Sequence, residues 1–397
     1  MINQKFINFI LLVGSFLFAL ALVEVGLRIA GFSFELFYTT DPIAGFSHPP
    51  NVEAWQRREG NAYIKINSQG LRDREHSKIK HENVRRIAIL GDSYAQALQV
   101  PLEKTFWHEL EKQLNICKPF GTQEIEVINF GVSSYGTAQE LLTLRHKVWD
   151  YNPDIILLAL TTGNDIRNNS KYLESKENVK VASSMPFFYY NEENELVLDN
   201  SFTQNPLWQR KNGFIWKSFE TLHHYLRILQ LLRKVKNDLA HRQMARHNDS
   251  APSQEIGLND QIYLPPVDIH WENAWRVTEG LLLKMRDEIQ NKNAKFLVVT
   301  LSSSIQVHPK RAVREQFMQR LKINSLFYPD NRIKALGKRE NLDVLNLAPV
   351  FQQYAEKKQI FLHGFENTQL GKGHWNEKGH QLAGELIAET LCANPKL

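Results

Sequence analysis

Five short apolar runs, separated by stretches long enough for helices, constrain this chain more than any other feature. They fall at 87–90, 124–129, 154–160, 295–301 and 342–347. Each is strand-sized, and the first stops at Gly91, as a buried strand would. The intervening segments 105–115, 137–149, 273–290 and 380–391 carry apolar residues at helical spacing, such as Phe106, Leu110 and Leu114. Strand–helix alternation with continuously apolar strands predicts an α/β fold with a parallel sheet covered on both faces. In such a sheet the functional residues gather at the carboxyl ends of the strands.

The N-terminus carries a second strong pattern. Lys5 precedes an apolar run from 6 to 23, broken only by Asn8, Gly14 and Ser15 and followed by Glu24 and Arg28. A helix of that length just spans a bilayer core about 30 Å thick. Cleavage as a signal peptide would use Ala19 and Ala21, but Leu22, Val23 and Val25 continue the apolar stretch, which favours an uncleaved transmembrane anchor over residues 1–32. A buried soluble helix is the third reading. With a short tail before the span, the large domain is expected on the exported side, in a membrane-anchored protein.

Residues 33–84 read as a connecting segment, rich in turns, whose Phe34, Phe37, Tyr38 and Trp55 pack it on the main domain. The main domain is expected over 85–397, interrupted by an insertion at about 166–270. Within the insertion, Phe219, Leu222, Leu226, Leu229, Leu232 and Val235 predict one amphipathic helix over 215–239. It would pack on the domain, cover the site as a lid, or lie on a membrane surface. Residues 247–260 are polar and read as a mobile loop. A net charge of +5 over 397 residues, without a Lys/Arg arm, argues against a nucleic-acid partner. The only cysteines, Cys117 and Cys392, form no CxxC pair; they read as two free thiols or as one disulfide. No HExxH-like spacing occurs, so neither a metal nor another cofactor is expected.

The chemistry concentrates where the strands end. The first gives Gly91-Asp92-Ser93, the second Asn129-Phe130-Gly131, the third Gly163-Asn164-Asp165. His374 stands in His-Trp-Asn-Glu-Lys-Gly-His before the last helix. A serine at a strand end with a histidine base within reach is an activated nucleophile. A backbone N–H and an asparagine amide are donors for an oxyanion. Each signal alone is weak. Their order and placement resemble the SGNH (GDSL) hydrolase family, named for its serine, glycine, asparagine and histidine blocks. The resemblance runs from about residue 86 to the C-terminus, omitting the insertion, and the N-terminal segment is similar to that of membrane-anchored bacterial members.

That resemblance implies a three-layer α/β/α sandwich with a flavodoxin-like sheet. It implies Ser93 as nucleophile, His374 as base, and Ser93 N–H, Gly131 N–H and Asn164 as the oxyanion hole. One departure matters: the family has an aspartate two or three positions before the histidine, where this chain has Lys372 and Gly371. Glu366, Asn367 or a backbone carbonyl are the candidates to orient His374. Asp92 and His308 are possible substrate-lining residues, although Asp92 and Asp165 are expected to bond loop backbone. His380 is expected to be structural. The expected activity is hydrolysis of an ester, a small molecule or an acylated glycan, through an acyl-enzyme. The alternatives are O-acyl transfer to an envelope polysaccharide and a non-catalytic anchored binding protein.

Overall fold

The computed structural model describes residues 4–34, 36–121, 123–247 and 259–394. The chain opens with helix α1 (Gln4–Ile29) and two small hairpins, β1 (Thr39–Asp41) with β2 (Gly45–Ser47) and β3 (Glu53–Gln56) with β4 (Ala62–Lys65). Then come β5 (Val84–Gly91), the single turn α2 (Ser93–Gln96), α3 (Phe106–Cys117), β6 (Glu124–Asn129), α4 (Thr137–His146) and β7 (Ile155–Thr161). The insertion follows: α5 (Asp165–Asn168), α6 (Lys171–Ala182), the hairpin β8 (Phe187–Tyr190) and β9 (Leu196–Asp199), α7 (Pro206–Asn212), α8 (Phe214–Tyr225) and α9 (Arg227–His247). The domain resumes with α10 (Ile269–Asn291), β10 (Lys295–Leu301), α11 (Arg311–Leu321), α12 (Tyr328–Glu340), β11 (Asp343–Asn346), α13 (Ala348–Lys358) and α14 (Glu377–Ala393). Of the 247–260 stretch, residues 248–258 lie outside the described residues.

The five apolar runs form one parallel sheet in the order β11-β10-β7-β5-β6. Both faces are buried because the side chains alternate. Ile87 and Ile89 enter one core with Phe106, Leu110, Phe351 and Ile387, from α3, α13 and α14. Ala88 and Leu90 enter the other with Leu141, Trp275, Leu282 and Ile333, from α4, α10 and α12. This is the three-layer α/β/α sandwich with a flavodoxin-like sheet. The chain leaves β5 toward β6, then returns to the other side with β7. That reversal opens a crevice between the ends of β5 and β7, the usual ligand position in such sheets.

Some elements differ from the sequence pattern. The helix expected over 137–149 ends at His146, and Val148–Tyr151 forms a separate 3₁₀ turn. The single helix expected over 215–239 is two, because Leu226 takes an extended conformation (φ −113°, ψ 109°) between α8 and α9. The break preserves the apolar periodicity, so hydropathy alone passes over it. The connecting segment holds two hairpins whose strands are too short to register as periodic.

Cys117 and Cys392 are joined in a disulfide, with Cα atoms 6.3 Å apart. The free-thiol reading is therefore corrected: the end of α3 and the end of α14 lie side by side. Cross-linking positions 275 residues apart restricts the unfolded chain strongly. Removing it by the double change Cys117→Ser, Cys392→Ser is expected to cost about 3 kcal/mol, read as a lower urea midpoint that matches the reduced wild-type protein.

A buried ionic cluster fixes the connecting segment to the sheet edge. His76 Nδ1 lies 2.6 Å from Glu126 Oε1, and Arg86 Nε 2.6 Å from Glu126 Oε2. Burial works against an ionised Glu126, but the hydrogen bonds and charges of His76 and Arg86 outweigh it and draw the carboxyl from 4.5 down to about 2. Burial also opposes the charged form of His76, yet Asp73 and Glu126 raise its pKa above 6.5. A depressed carboxyl stabilises the fold fully above its unfolded value and loses that contribution as pH falls from about 4.5 toward 2. The raised His76 stabilises below its unfolded value and loses its part as pH climbs through the folded one. Glu126→Gln is thus expected to flatten the acid limb of a melting-temperature profile and remove part of the alkaline decline above pH 6.5.

Candidate active site

Asp92 and Ser93 follow β5 directly. Asp92 caps α2, its Oδ1 accepting from Tyr94 N at 3.0 Å. Ser93 opens that turn, so its own N–H has no acceptor within the helix. The same carboxylate receives Thr161 Oγ1 at 2.9 Å and Asn164 Nδ2 at 3.1 Å, both from the end of β7. Asp92 is wholly buried and burial pushes its carboxyl upward, against those donors. It is a strut between two strand ends and not a substrate-lining residue, which corrects the expectation from sequence. Asn164 lines the cleft, and its amide has a second hydrogen that the bond to Asp92 does not use.

The loop before α14 brings His374 to the same edge. Trp375 is buried against Phe106, Phe351 and Tyr94, and its indole N–H donates to Ser302 Oγ at 2.9 Å. Asn376 caps α14 through Lys378 N and Gly379 N. With one neighbour locked in the core and the next locked to a helix start, His374 has little freedom. Its Nε2 lies 2.8 Å from Ser93 Oγ. His363 supports the loop from beneath: it is buried, with Nδ1 2.8 Å from Gly373 O. His380 is also buried and accepts from Phe106 N at 3.3 Å; burial lowers its pKa to about 3. It belongs to the packing of α14 on α3.

The partner of His374 comes from an unexpected quarter. Glu59, in the turn between β3 and β4, has Oε2 2.6 Å from His374 Nδ1 and Oε1 2.7 Å from His374 N. Burial favours the neutral acid, but the hydrogen bonds and charge of His374 prevail and hold the carboxyl below its ordinary value. Gly60 makes the turn possible: its φ is +71°, and a Cβ there would collide with the carbonyl of Gln99. Of the sequence candidates, Glu366 is exposed and lines a neighbouring cavity. Asn367 instead grips the turn, accepting from Gly60 N at 3.0 Å and donating to Gly60 O at 2.8 Å. It positions Glu59 and does not touch His374 in this arrangement.

Two further expectations are corrected. Gly131 N–H donates to Asn129 Oδ1 at 3.0 Å, and the residue borders a different, very small cavity. A Cβ on Gly131 would press on Ala95 and the Gln96 amide, so this glycine admits α2 against β6 and offers no free oxyanion donor. His308 packs edge-on against Phe361, ring centroids 5.3 Å apart, and does not line the cleft. The cleft itself, about 690 Å³, is lined by Glu59, Ser93, Tyr94, Asn164, Arg167, Thr368, Gln369, Lys372, Gly373 and His374. Among the described residues no cluster of His, Cys, Asp and Glu could hold a metal ion.

Comparison with solved structures finds esterases of the GDSL type. The acetyl xylan esterase AlAXEase is 14% identical, with 77% of this chain and 99% of that chain covered and a TM-score of 0.38. A catalytic mutant of Axe2, an acetylxylan esterase from Geobacillus stearothermophilus, is 12% identical over 79% and 95%, with a TM-score of 0.37. A GDSL-like lipase from Bacteroides thetaiotaomicron is 11% identical over 80% and 91%, with a TM-score of 0.32. No family model matches the chain, and no curated protein sequence matches it.

Proposed function

We propose that the protein is a membrane-tethered serine esterase that removes O-acyl groups through an acyl-enzyme. The observation that carries this reading is the unbroken series Ser93 Oγ, His374 Nε2, His374 Nδ1 and Glu59 Oε2, with steps of 2.8 and 2.6 Å on one wall of one cleft. His374 takes the Ser93 proton as Oγ attacks the ester carbonyl. Glu59 holds the imidazole in the tautomer that leaves Nε2 free to accept, and stabilises the imidazolium that forms. Ser93 N–H and the spare Asn164 amide hydrogen stabilise the oxyanion. His374 returns the proton to the departing alcohol, and water then releases the acyl group by the same steps.

The non-catalytic alternative drew its support from the missing aspartate, and Glu59 removes that support. A glycan ester suits the shape of the site: a second cavity of about 780 Å³ lies across the loop that carries Gly364, Glu366 and Asn367. That room also favours a second reading, acyl transfer to a glycan hydroxyl. α1 is long and apolar enough to cross a membrane. The Cys117–Cys392 disulfide fits an exported, oxidising location for the domain.

The test is labelling of the intact protein with a fluorophosphonate. The expected result is a single adduct on the peptide containing Ser93; well-folded protein that takes up no label contradicts the proposal. Product analysis with an acetyl donor and a polysaccharide acceptor then separates hydrolysis from transfer.

A further inference from the structure

The insertion leaves two apolar faces uncovered. In α8, Ile215, Phe219 and Leu222 recur at i, i+4 and i+7, so they share one side of the helix. Phe214, Ile215 and Tyr225 are 86%, 85% and 70% exposed. In α9, Leu232, Val235 and Leu239 fall on one stripe and are likewise exposed. A soluble protein scatters exposed apolar residues singly; a continuous band across two consecutive helices marks an interaction surface.

The joint between these helices is fastened to the end of α1. Glu24 accepts from Arg227 N and Ile228 N, each at 3.0 Å, and so caps the first turn of α9. Arg28 donates to Tyr225 O at 2.5 Å, closing the end of α8. Glu24 and Arg28 are also ion-paired at 2.8 Å, at the C-terminal end of the apolar span. The charged end of a spanning helix sits at the boundary between headgroups and acyl chains. α8 is 12 residues long, so none of it lies farther along its axis than about 18 Å from that boundary.

We propose that α8 and α9 form an interfacial foot whose apolar faces lie in the leaflet that α1 enters. The occupant is the lipid surface itself. Lys236, exposed, flanks the α9 stripe, which suits anionic phospholipid. The foot is coupled to the cleft. Lys217 donates to Thr39 Oγ1 at 2.6 Å, and Thr39 Oγ1 donates to Glu220 at 2.9 Å. The neighbouring Tyr38 hydroxyl donates to Gln96 at 2.9 Å, in the turn that begins with Ser93. The foot therefore fixes how the cleft is oriented above the bilayer. This inference rests on α1 as a membrane span and is independent of the esterase reading.

The test uses full-length protein in nanodiscs of phosphatidylethanolamine and phosphatidylglycerol. Because the two native cysteines pair with each other, Ile215→Cys, Leu222→Cys, Leu232→Cys and Leu239→Cys each give one reactive thiol for a nitroxide. Gln381→Cys, at an exposed position of α14 outside the foot, reports the aqueous surface, and Leu12→Cys reports the span. The expected result is a several-fold higher ratio of oxygen to nickel-chelate collisions at the four apolar sites than at Gln381, approaching the ratio at Leu12. Aqueous values at all four sites, with Leu12 in lipid, overturn the foot alone. Shielding from both reagents with dipolar broadening between labels assigns the face to a second copy and also overturns it. Aqueous values at Leu12 remove the span, and the foot with it.

Discussion

Ser93→Ala is expected to lower p-nitrophenyl ester hydrolysis by at least about 10⁴-fold while leaving the fold intact. On the proposed mechanism the substitution deletes the atom that forms the acyl-enzyme, the Ser93 Oγ that lies 2.8 Å from His374 Nε2 on the wall of the cleft. The structural cost is small. Ser93 is only partly buried, and its hydroxyl contributes one hydrogen bond of about 1 kcal/mol. A melting temperature near that of the wild type together with abolished turnover is the signature sought. Turnover that survives the change removes the central assignment.

Glu59→Gln is expected to lower kcat by roughly 10²–10⁴-fold with little change in KM. The side chain keeps its shape and its bond from His374 N. A glutamine amide, however, can present N–H to Nδ1, which drives the imidazole proton to Nε2 and leaves no base facing Ser93. It also withdraws the negative charge that stabilises the imidazolium. Because the Glu59 carboxyl lies below its ordinary value, it stays ionised through the neutral range, so the loss is expected at every working pH. Steady-state kinetics at several pH values measure it. Glu366→Gln is the control: that carboxylate is exposed and outside the cleft, and turnover is expected to be unchanged. Equal losses in both variants contradict the role given to Glu59.

The sheet was readable because its central strands are buried on both faces and so appear as unbroken apolar runs, whereas the edge strand β11 is only partly buried. α11 and α12 were not, because most of their residues are polar: Phe317, Ile333 and Leu336 are fully buried in the core, and Val313, Met318, Leu321 and Tyr328 are half-buried against it. Ser93 and His374 stood out because each follows or precedes a recognisable element, and in the fold Ser93 Oγ and His374 Nε2 face one another. Glu59 did not. It lies 315 positions before His374, in a turn between two strands of four residues, and only three-dimensional proximity relates the two. Gly131 misled for a local reason: the Asn129 side chain, two residues earlier, takes up the N–H that was expected to be free. Leu226 hides its break because the acceptor that starts α9 is Glu24, at the far end of the sequence.

The distribution of the three groups in the proposed mechanism has a practical corollary for anyone preparing the protein. A version trimmed to begin at Val84 would keep every strand of the main sheet, the serine and the histidine, yet it would lack the carboxylate between β3 and β4. The part that seems dispensable from the pattern of strands and helices supplies the carboxylate that holds His374, so an inert trimmed domain would say nothing about the whole chain.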